Sequence, residues 1–281
     1  MKTAEQIKGA VKNIAKKMNL KPQEVLQIFI FERLVERLSI SKYKENFILK
    51  GGLLIASMIG IAERTTMDMD TTIQGLPMTE QEMERIVKEI LRIDVGDGIC
   101  FEFQGMQPIR EEDEYHNFCA SICAIYGKMK IPMKIDITTG DKITPRQIDY
   151  GYKFMFEEKS VLVKAYTLET IIAEKYETVI RRNIGNTRAR DFYDLFVLLK
   201  IKREEVRWNV LKEAVLATSK KRGSLEELEE YKEIIKDMQE SQFLKRIWEK
   251  YQTENTYSES ISYTDVLNTV LEIGQMLENI E

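Results

Sequence analysis

Acidic residues at alternate positions of a short apolar run are the first feature of this sequence that could do chemistry. From Met67 to Ile73 the residues alternate as a strand requires, so Asp68, Asp70 and Thr72 share one face and Met67, Met69 and Ile73 the other. Two carboxylates side by side repel unless a cation lies between them. An all-oxygen pair suits magnesium, with water and phosphate completing its octahedron. A third acid, Asp136, stands in Lys134-Ile135-Asp136-Ile137, where the isoleucines face a core and Asp136 faces the opposite side, which can adjoin Asp68 and Asp70. Three acids suit a two-metal site in which one ion lowers the pKa of an attacking hydroxyl and the other steadies a triphosphate and its leaving pyrophosphate. An exposed strand edge would explain the same alternation. Spacing alone also admits Asp94, Asp97 or Asp113 as the third acid; the strand context favours Asp136.

Three further features bear on the same chemistry. Gly51-Gly52 stands where an apolar strand gives way to a helix; glycines there let backbone N–H groups approach phosphate oxygens, and the helix N-terminus adds a favourable dipole, although a plain tight turn needs the same residues. Lys175 falls at the centre of the apolar stripe Leu168, Ile171, Ile172 and Val179. An isolated buried ammonium costs several kcal/mol, so this one is expected to reach an anion, either a triphosphate or a carboxylate, unless it snorkels to solvent. On the next helix Asp191 borders the core face of Phe192, Leu195, Phe196 and Leu199. It could orient Lys175, assist deprotonation of an acceptor, or simply pair with Arg188 one turn earlier.

The elements that hold these residues are set by periodicity. Ile7, Val11, Ile14 and Met18 predict a first helix, and the residues after Pro22 a second one that includes Val25, Ile28, Phe29, Leu34, Val35 and Leu38. Phe47 to Leu49, Met67 to Ile73, Cys100 to Phe103, Phe118 to Tyr126 and Met133 to Ile137 predict strands. Leu53 to Ile59 is expected to be a buried helix, and Thr79 with Glu82 a capping box opening another. Thr167 is expected to cap a helix to about Arg182, and Thr187 one to about Lys200; the remainder of the chain reads as helical. The expected fold is α+β, a mixed sheet with helices packed on it. Its parts are N-terminal helices over residues 1–46, a core over 47–165, and a helical C-terminal domain over 166–281 that contributes Lys175 and Asp191 to the site.

Composition sets the outer bounds. The 281 residues are 43% hydrophobic, enough for an ordinary packed core. No apolar run approaches the roughly 20 residues that cross a bilayer, and no secretory signal opens the chain, so a cytoplasmic protein without membrane contact is expected. The net charge of −4 conceals an asymmetry: residues 1–50 carry +6 and residues 223–281 carry −9. The basic end could attract nucleic acid or be a solvated helix face. Three cysteines, Cys100, Cys119 and Cys123, in a chain of this size argue against a disulfide framework, and a zinc site at His116, Cys119 and Cys123 lacks a fourth ligand.

Taken in order, Lys50-Gly51-Gly52, then Arg64-Thr65-Thr66-Met67-Asp68-Met69-Asp70, then Lys134-Ile135-Asp136-Ile137, then Ala173-Glu174-Lys175, then Arg190-Asp191-Phe192-Tyr193-Asp194-Leu195 resemble the AbiEii/AbiGii toxin family of nucleotidyltransferases. The resemblance spans roughly Phe47 to Leu199. It implies a polymerase-beta-like nucleotidyltransferase core with an added helical domain, and a toxin paired with a cognate antitoxin in phage defence or growth control. It also implies that Asp68, Asp70 and Asp136 hold magnesium, that Gly51, Gly52, Arg64 and Thr66 bind phosphate, and that Lys175 contacts a triphosphate while Asp191 is the last acid of the catalytic set. Leu53 departs from the Ser or Thr that commonly follows the glycine pair. The expected reaction is nucleotide transfer from a nucleoside triphosphate, bound between the sheet and the Lys175 helix, to an acceptor, foremost the end of a transfer RNA. The alternatives are a Ser, Thr or Tyr hydroxyl of a protein, and a nucleotide-binding or interaction module without turnover.

Overall fold

Alternating apolar residues need a sheet with one face covered, and amphipathic helices need a surface to cover. The computed structural model describes residues 3–109 and 117–280. Asp113 and His116, and with them one alternative third acid and the zinc reading, lie outside the described residues. Cys100, Cys119 and Cys123 are free thiols. The chain divides into two compact units, Met1–Asp141 with Gln147–Ala165, and Lys142–Arg146 with Tyr166–Glu281.

The first unit opens with α1 (Ala4–Met18) and α2 (Pro22–Ile40), followed by β1 (Phe47–Lys50), α3 (Gly51–Ile59), β2 (Asp68–Ile73) and α4 (Glu80–Leu91). Then come β3 (Ile99–Pro108), β4 (Phe118–Tyr126), β5 (Met129–Thr139), β6 (Ile148–Lys153) and β7 (Ser160–Ala165). The strands form one mixed sheet in the order β3-β4-β5-β2-β1-β7-β6. β2 runs parallel to β5 and β1 parallel to β7, while the other neighbours are antiparallel. Met69, Ile73, Ile135, Ile137, Ala120 and Ile122 form the buried face. Helices α2 and α4 lie against it around a small apolar cavity of about 20 Å³ lined by Leu34, Leu38, Val87 and Ile90 from the helices and by Met69 and Ile135 from the strands.

Several local expectations hold and some need correction. The Thr79 hydroxyl accepts the Glu82 N–H at the start of α4, one half of the expected capping box, while the Glu82 carboxylate accepts from Arg85. The glycine pair stands at the expected strand-to-helix junction, directly after β1, and forms the first turn of α3. Strands β6 and β7 were not expected: they are short, half exposed, and joined through the charged Glu157-Glu158-Lys159, which masks their alternation. Helix α2 also departs from a simple amphipathic reading, because Glu32, Arg33, Glu36 and Arg37 are buried together with its apolar residues. Arg37 holds Asp97 through two hydrogen bonds of 2.7 Å and donates to the Ile99 carbonyl. Arg33 reaches Glu157, Glu36 pairs with Lys159, and Glu32 accepts the Met155 N–H. The contacts of Glu32, Arg33 and Glu36 fasten the β6–β7 turn onto α2, and together with the Arg37–Asp97 pair they remove Arg33 and Arg37 from the basic surface that net charge predicts for the N-terminal end.

The second unit consists of α5 (Leu168–Arg182), α6 (Ala189–Lys202), α7 (Trp208–Arg222), α8 (Leu225–Glu229), α9 (Tyr231–Glu240), α10 (Gln242–Glu254) and α11 (Tyr263–Glu278), with no strand among its described residues. Thr167 caps α5 by accepting the Thr170 N–H. Thr187 does not cap α6; the chain turns in through Asn186, whose side chain accepts the Arg188 N–H, and Arg188 occupies the cap position. Among the described residues no helix is long and apolar enough to cross a membrane.

Candidate active site

Strand register assembles most of the expected residues of the first unit on one face of its sheet. Asp70 of β2 pairs with Lys50 of β1 on one side and with Asp136 of β5 on the other, and Asp136 pairs in turn with Cys119 of β4. Directly paired residues of neighbouring strands project to the same side. Lys50, Asp70, Asp136 and Cys119 therefore make one row. Asp68, Lys134 and Ser121 make the next. The other side of the same strands carries Met69, Ile135 and Ile137, all buried, so a hydrophobic core on one face fixes where the acids on the other must lie.

The glycine pair sits against this row. Gly51 has a left-handed backbone (φ +65°), and a Cβ placed there would come within 2.0 Å of the Asp70 Oδ2. The Gly52 N–H points to the same oxygen at 3.4 Å. A Cβ on Gly52 would meet Thr66 Oγ1 at 2.8 Å and Arg64 Nη2 at 3.1 Å. Hence Gly51, Gly52, Arg64, Thr66 and Asp70 are brought together, with Arg64 and Thr66 both buried and the Arg64 guanidinium donating to the Thr65 carbonyl. Leu53, where the resemblance leads one to expect a hydroxyl, is fully buried in the core.

Charge on this face is crowded. Burial raises the pKa of Asp136, and the carboxylates of Asp70 and Asp68 raise it further, against the opposing effects of the Cys119 thiol and Lys134. Burial, with Asp136 alongside, pushes the Cys119 thiol up to about 12. The oxygen-only donor set and its mutual repulsion fit a hard divalent cation. Among the described residues, however, no three His, Cys, Asp or Glu side chains are gathered tightly enough to hold an ion by themselves. The expected trio is thus not a preformed cage. Magnesium commonly takes one or two carboxylates and completes its shell with water and substrate phosphate, which this face can satisfy. Of the alternative third acids, Asp97 is committed to Arg37, and Asp94 is exposed and accepts the Gly96 N–H.

The remaining expected residues lie in the second unit. Lys175 on α5 places Nζ 2.9 Å from Asp191 Oδ1 and 2.6 Å from Asp194 Oδ2, both on α6. Asp191 also receives the Arg188 Nε at 2.6 Å. Burial disfavours the charge on Lys175, but the two carboxylates together outweigh it and hold its pKa above the ordinary lysine value. Asp191 shows the mirror effect: burial opposes its ionisation, and Lys175 with Arg188 brings its pKa down to about 2. The out-of-place lysine therefore does reach a carboxylate. Asp194 was not singled out from the sequence, although its place one turn beyond Asp191 on the same helix is the signal that pairs them. Lys50 was likewise given no role, and Cys119 none beyond the zinc reading; the place of both beside the acids emerges only from cross-strand register.

A family profile described as nucleotidyl transferase AbiEii toxin, type IV toxin–antitoxin system, matches residues 33–268. The chain belongs to this family. No protein of curated function matches it. Among solved structures, JHP933 from Helicobacter pylori is similar over 92% of each chain at 16% identity, with a TM-score of 0.50. A candidate nucleotidyltransferase from H. pylori is 16% identical over 92% of this chain and 95% of that one, with a TM-score of 0.49. An antigenic nucleotidyltransferase-like protein from Paracoccidioides brasiliensis is 14% identical over 80% of this chain and 92% of that one, with a TM-score of 0.38. At such identities the likeness to JHP933 shows the fold alone. Membership makes the chain a nucleotidyltransferase of a toxin–antitoxin system, with a nucleoside triphosphate as substrate and an antitoxin as partner, and the α+β fold expected from the sequence holds.

Proposed function

We propose that this toxin transfers a nucleotide to the terminal hydroxyl of an RNA, foremost a transfer RNA, with magnesium held by Asp68, Asp70 and Asp136. The observation that carries the reading is the pairing of Asp70 with Asp136 beside the Gly51-Gly52 backbone. Magnesium, when bound, supplies charge neutralisation and acidifies the attacking hydroxyl. The acceptor oxygen attacks the α-phosphorus in line, the bond to the bridging oxygen breaks, and its electron pair leaves with pyrophosphate. Asp136, directly beside Asp70 in the row of acids, is the carboxylate that can take the acceptor's proton. Gly51 and Gly52 offer backbone N–H groups to the phosphates, and Arg64 and Thr66, packed against Gly52, assist them. Lys175 and Asp191 form the second functional group of the chain: a lysine kept charged by buried carboxylates is a cation for a triphosphate, and Asp191 holds it in place. RNA is favoured as acceptor by the exposed Lys8, Lys12, Lys16 and Lys17 of α1. The reaction draws on the cytoplasmic triphosphate pool, and phage defence or growth control is the expected setting.

Incubation with each labelled triphosphate, magnesium and total cell RNA and protein tests the proposal. Label is expected in RNA, to vanish with chelation, and to fall at least a hundredfold for Asp68→Ala with Asp70→Ala, a scale typical of losing metal-dependent chemistry. Label that resists ribonuclease and follows a protein band instead assigns the acceptor to a protein hydroxyl. Label unaffected by the double substitution removes the acid face from the chemistry.

A further inference from the structure

Cross-strand register puts two lysines in the rows that hold the acids, and they differ in kind. Lys134 is exposed, in the row of Asp68. Lys50 stands in the row of Asp70 and Asp136, immediately before the glycine pair, with only 13% of its side chain exposed. Its Nζ lies 2.5 Å from Asp141 Oδ2 and 2.7 Å from Thr138 Oγ1. The Thr138 hydroxyl is itself 3.1 Å from Asp141. Thr138 is two residues beyond Asp136 and so projects from the same side of β5. A charged side chain is therefore held against a carboxylate on the very face that must receive a polyanion.

The electrostatic demand on that face explains why a cation is kept there. Three carboxylates and a triphosphate bring far more negative charge together than one or two divalent ions neutralise, and the excess grows on pyrophosphate as the bond to the α-phosphorus breaks. A positioned ammonium answers that growth without moving a proton. It must nevertheless be held somewhere before substrate arrives, because an unpaired, largely buried ammonium is costly. Asp141 and Thr138 meet this requirement.

Resting on the nucleotide-site reading above, we propose that Lys50 is the cation for the leaving half of the triphosphate, and that Asp141 with Thr138 is its resting partner. Arrival of the triphosphate exchanges the Asp141 carboxylate for β- and γ-phosphate oxygens. Lys50 keeps its proton throughout, and the electron pair of the broken bond stays on pyrophosphate. Asp141 then opposes binding, since its hold on Lys50 must be given up. A tether that merely joined the ends of β1 and β5 would act with the opposite sign.

Calorimetric titration of the full chain with magnesium pyrophosphate, which needs no knowledge of the base, distinguishes the two. Lys50→Met is expected to weaken binding by about tenfold, the scale of one charge-assisted hydrogen bond. Asp141→Asn is expected to tighten it roughly threefold, and the double variant to bind like Lys50→Met alone, because the effect of Asp141 passes through Lys50. Unchanged affinity in Lys50→Met, or weaker or unchanged binding in Asp141→Asn, overturns the proposal. If Lys50→Met does not fold, Asp141→Asn decides together with Lys50→Arg, which keeps the charge and is expected to stay within a few-fold of wild type. The control is Asp68→Ala with Asp70→Ala, expected to abolish magnesium-dependent binding. Wild-type protein that does not bind magnesium pyrophosphate overturns the nucleotide-site reading and this proposal with it; binding that survives in the control variant overturns the acid-face reading, while binding lost there but unaltered in Lys50→Met overturns only the role of Lys50.

Discussion

Gly51 shows how little room the candidate site leaves at a single position. Its backbone is left-handed, and the Asp70 carboxylate occupies the space a side chain would need. Gly51→Ala is expected to lose about 1–2 kcal/mol from the backbone conformation alone and, separately, to drive the Asp70 carboxylate off its place. Turnover should then fall by an order of magnitude or more while the protein still melts cooperatively. Near-normal turnover would show that the Asp70 position is not critical. At this scale the sequence was readable wherever alternation decides the outcome: Ile135 and Ile137 inward, Asp136 outward. It was silent on Lys50 and Asp141, because nothing in either segment says that β1 and β5 flank the same strand.

Among the elements, α2 carries an unusual load. Glu32 is buried, and loss of solvent raises its pKa to about 8; the Met155 N–H and Arg33 counter this only in part, and Glu157 adds to it. An unfolded chain releases the same proton near the ordinary value of 4.5. Between those two pH values the folded state binds the extra proton, so this group makes stability fall as pH rises from about 4.5 to about 8. Glu32→Gln keeps an acceptor for Met155 and cannot ionise. Its melting temperature at pH 8 is expected to exceed wild type by several degrees, with the two proteins converging near pH 4.5; parallel melting curves at both pH values would contradict the assignment. The apolar half of α2 was legible from spacing, and its buried ionisable residues were not, since Glu32, Arg33 and Glu36 read as a solvated face until β6 and β7 are known to return beside them, and Arg37 until Asp97 is known to meet it. Those two strands were missed for the same reason that they matter: their turn is charged because α2 binds it with charge.

At the scale of the whole molecule, charge is divided by region: a surplus of basic residues at one end of the sequence and of acidic ones at the other. Burial of Arg33 and Arg37 leaves α1 as the exposed basic helix of the N-terminal segment, with Lys8, Lys12 and Lys16 at successive four-residue steps. Lys12→Glu with Lys16→Glu is expected to weaken association with RNA and to reduce its salt dependence by about one unit of slope for each phosphate no longer engaged. Binding of a free triphosphate should be untouched. Equal RNA affinity at all salt concentrations would assign those lysines to solvent alone. The pairing of Asp70 with Asp136 has a last consequence, for how members of such a lineage can vary. Parallel neighbours cannot be joined by a tight turn, so the chain leaves β2, travels through α4 and two further strands, and only then returns with the second acid. Insertions along that excursion can accumulate at little cost. One residue gained or lost within β5 just ahead of Asp136 would instead trade it for an isoleucine and send the carboxylate into oil, so natural length variation should avoid those few positions.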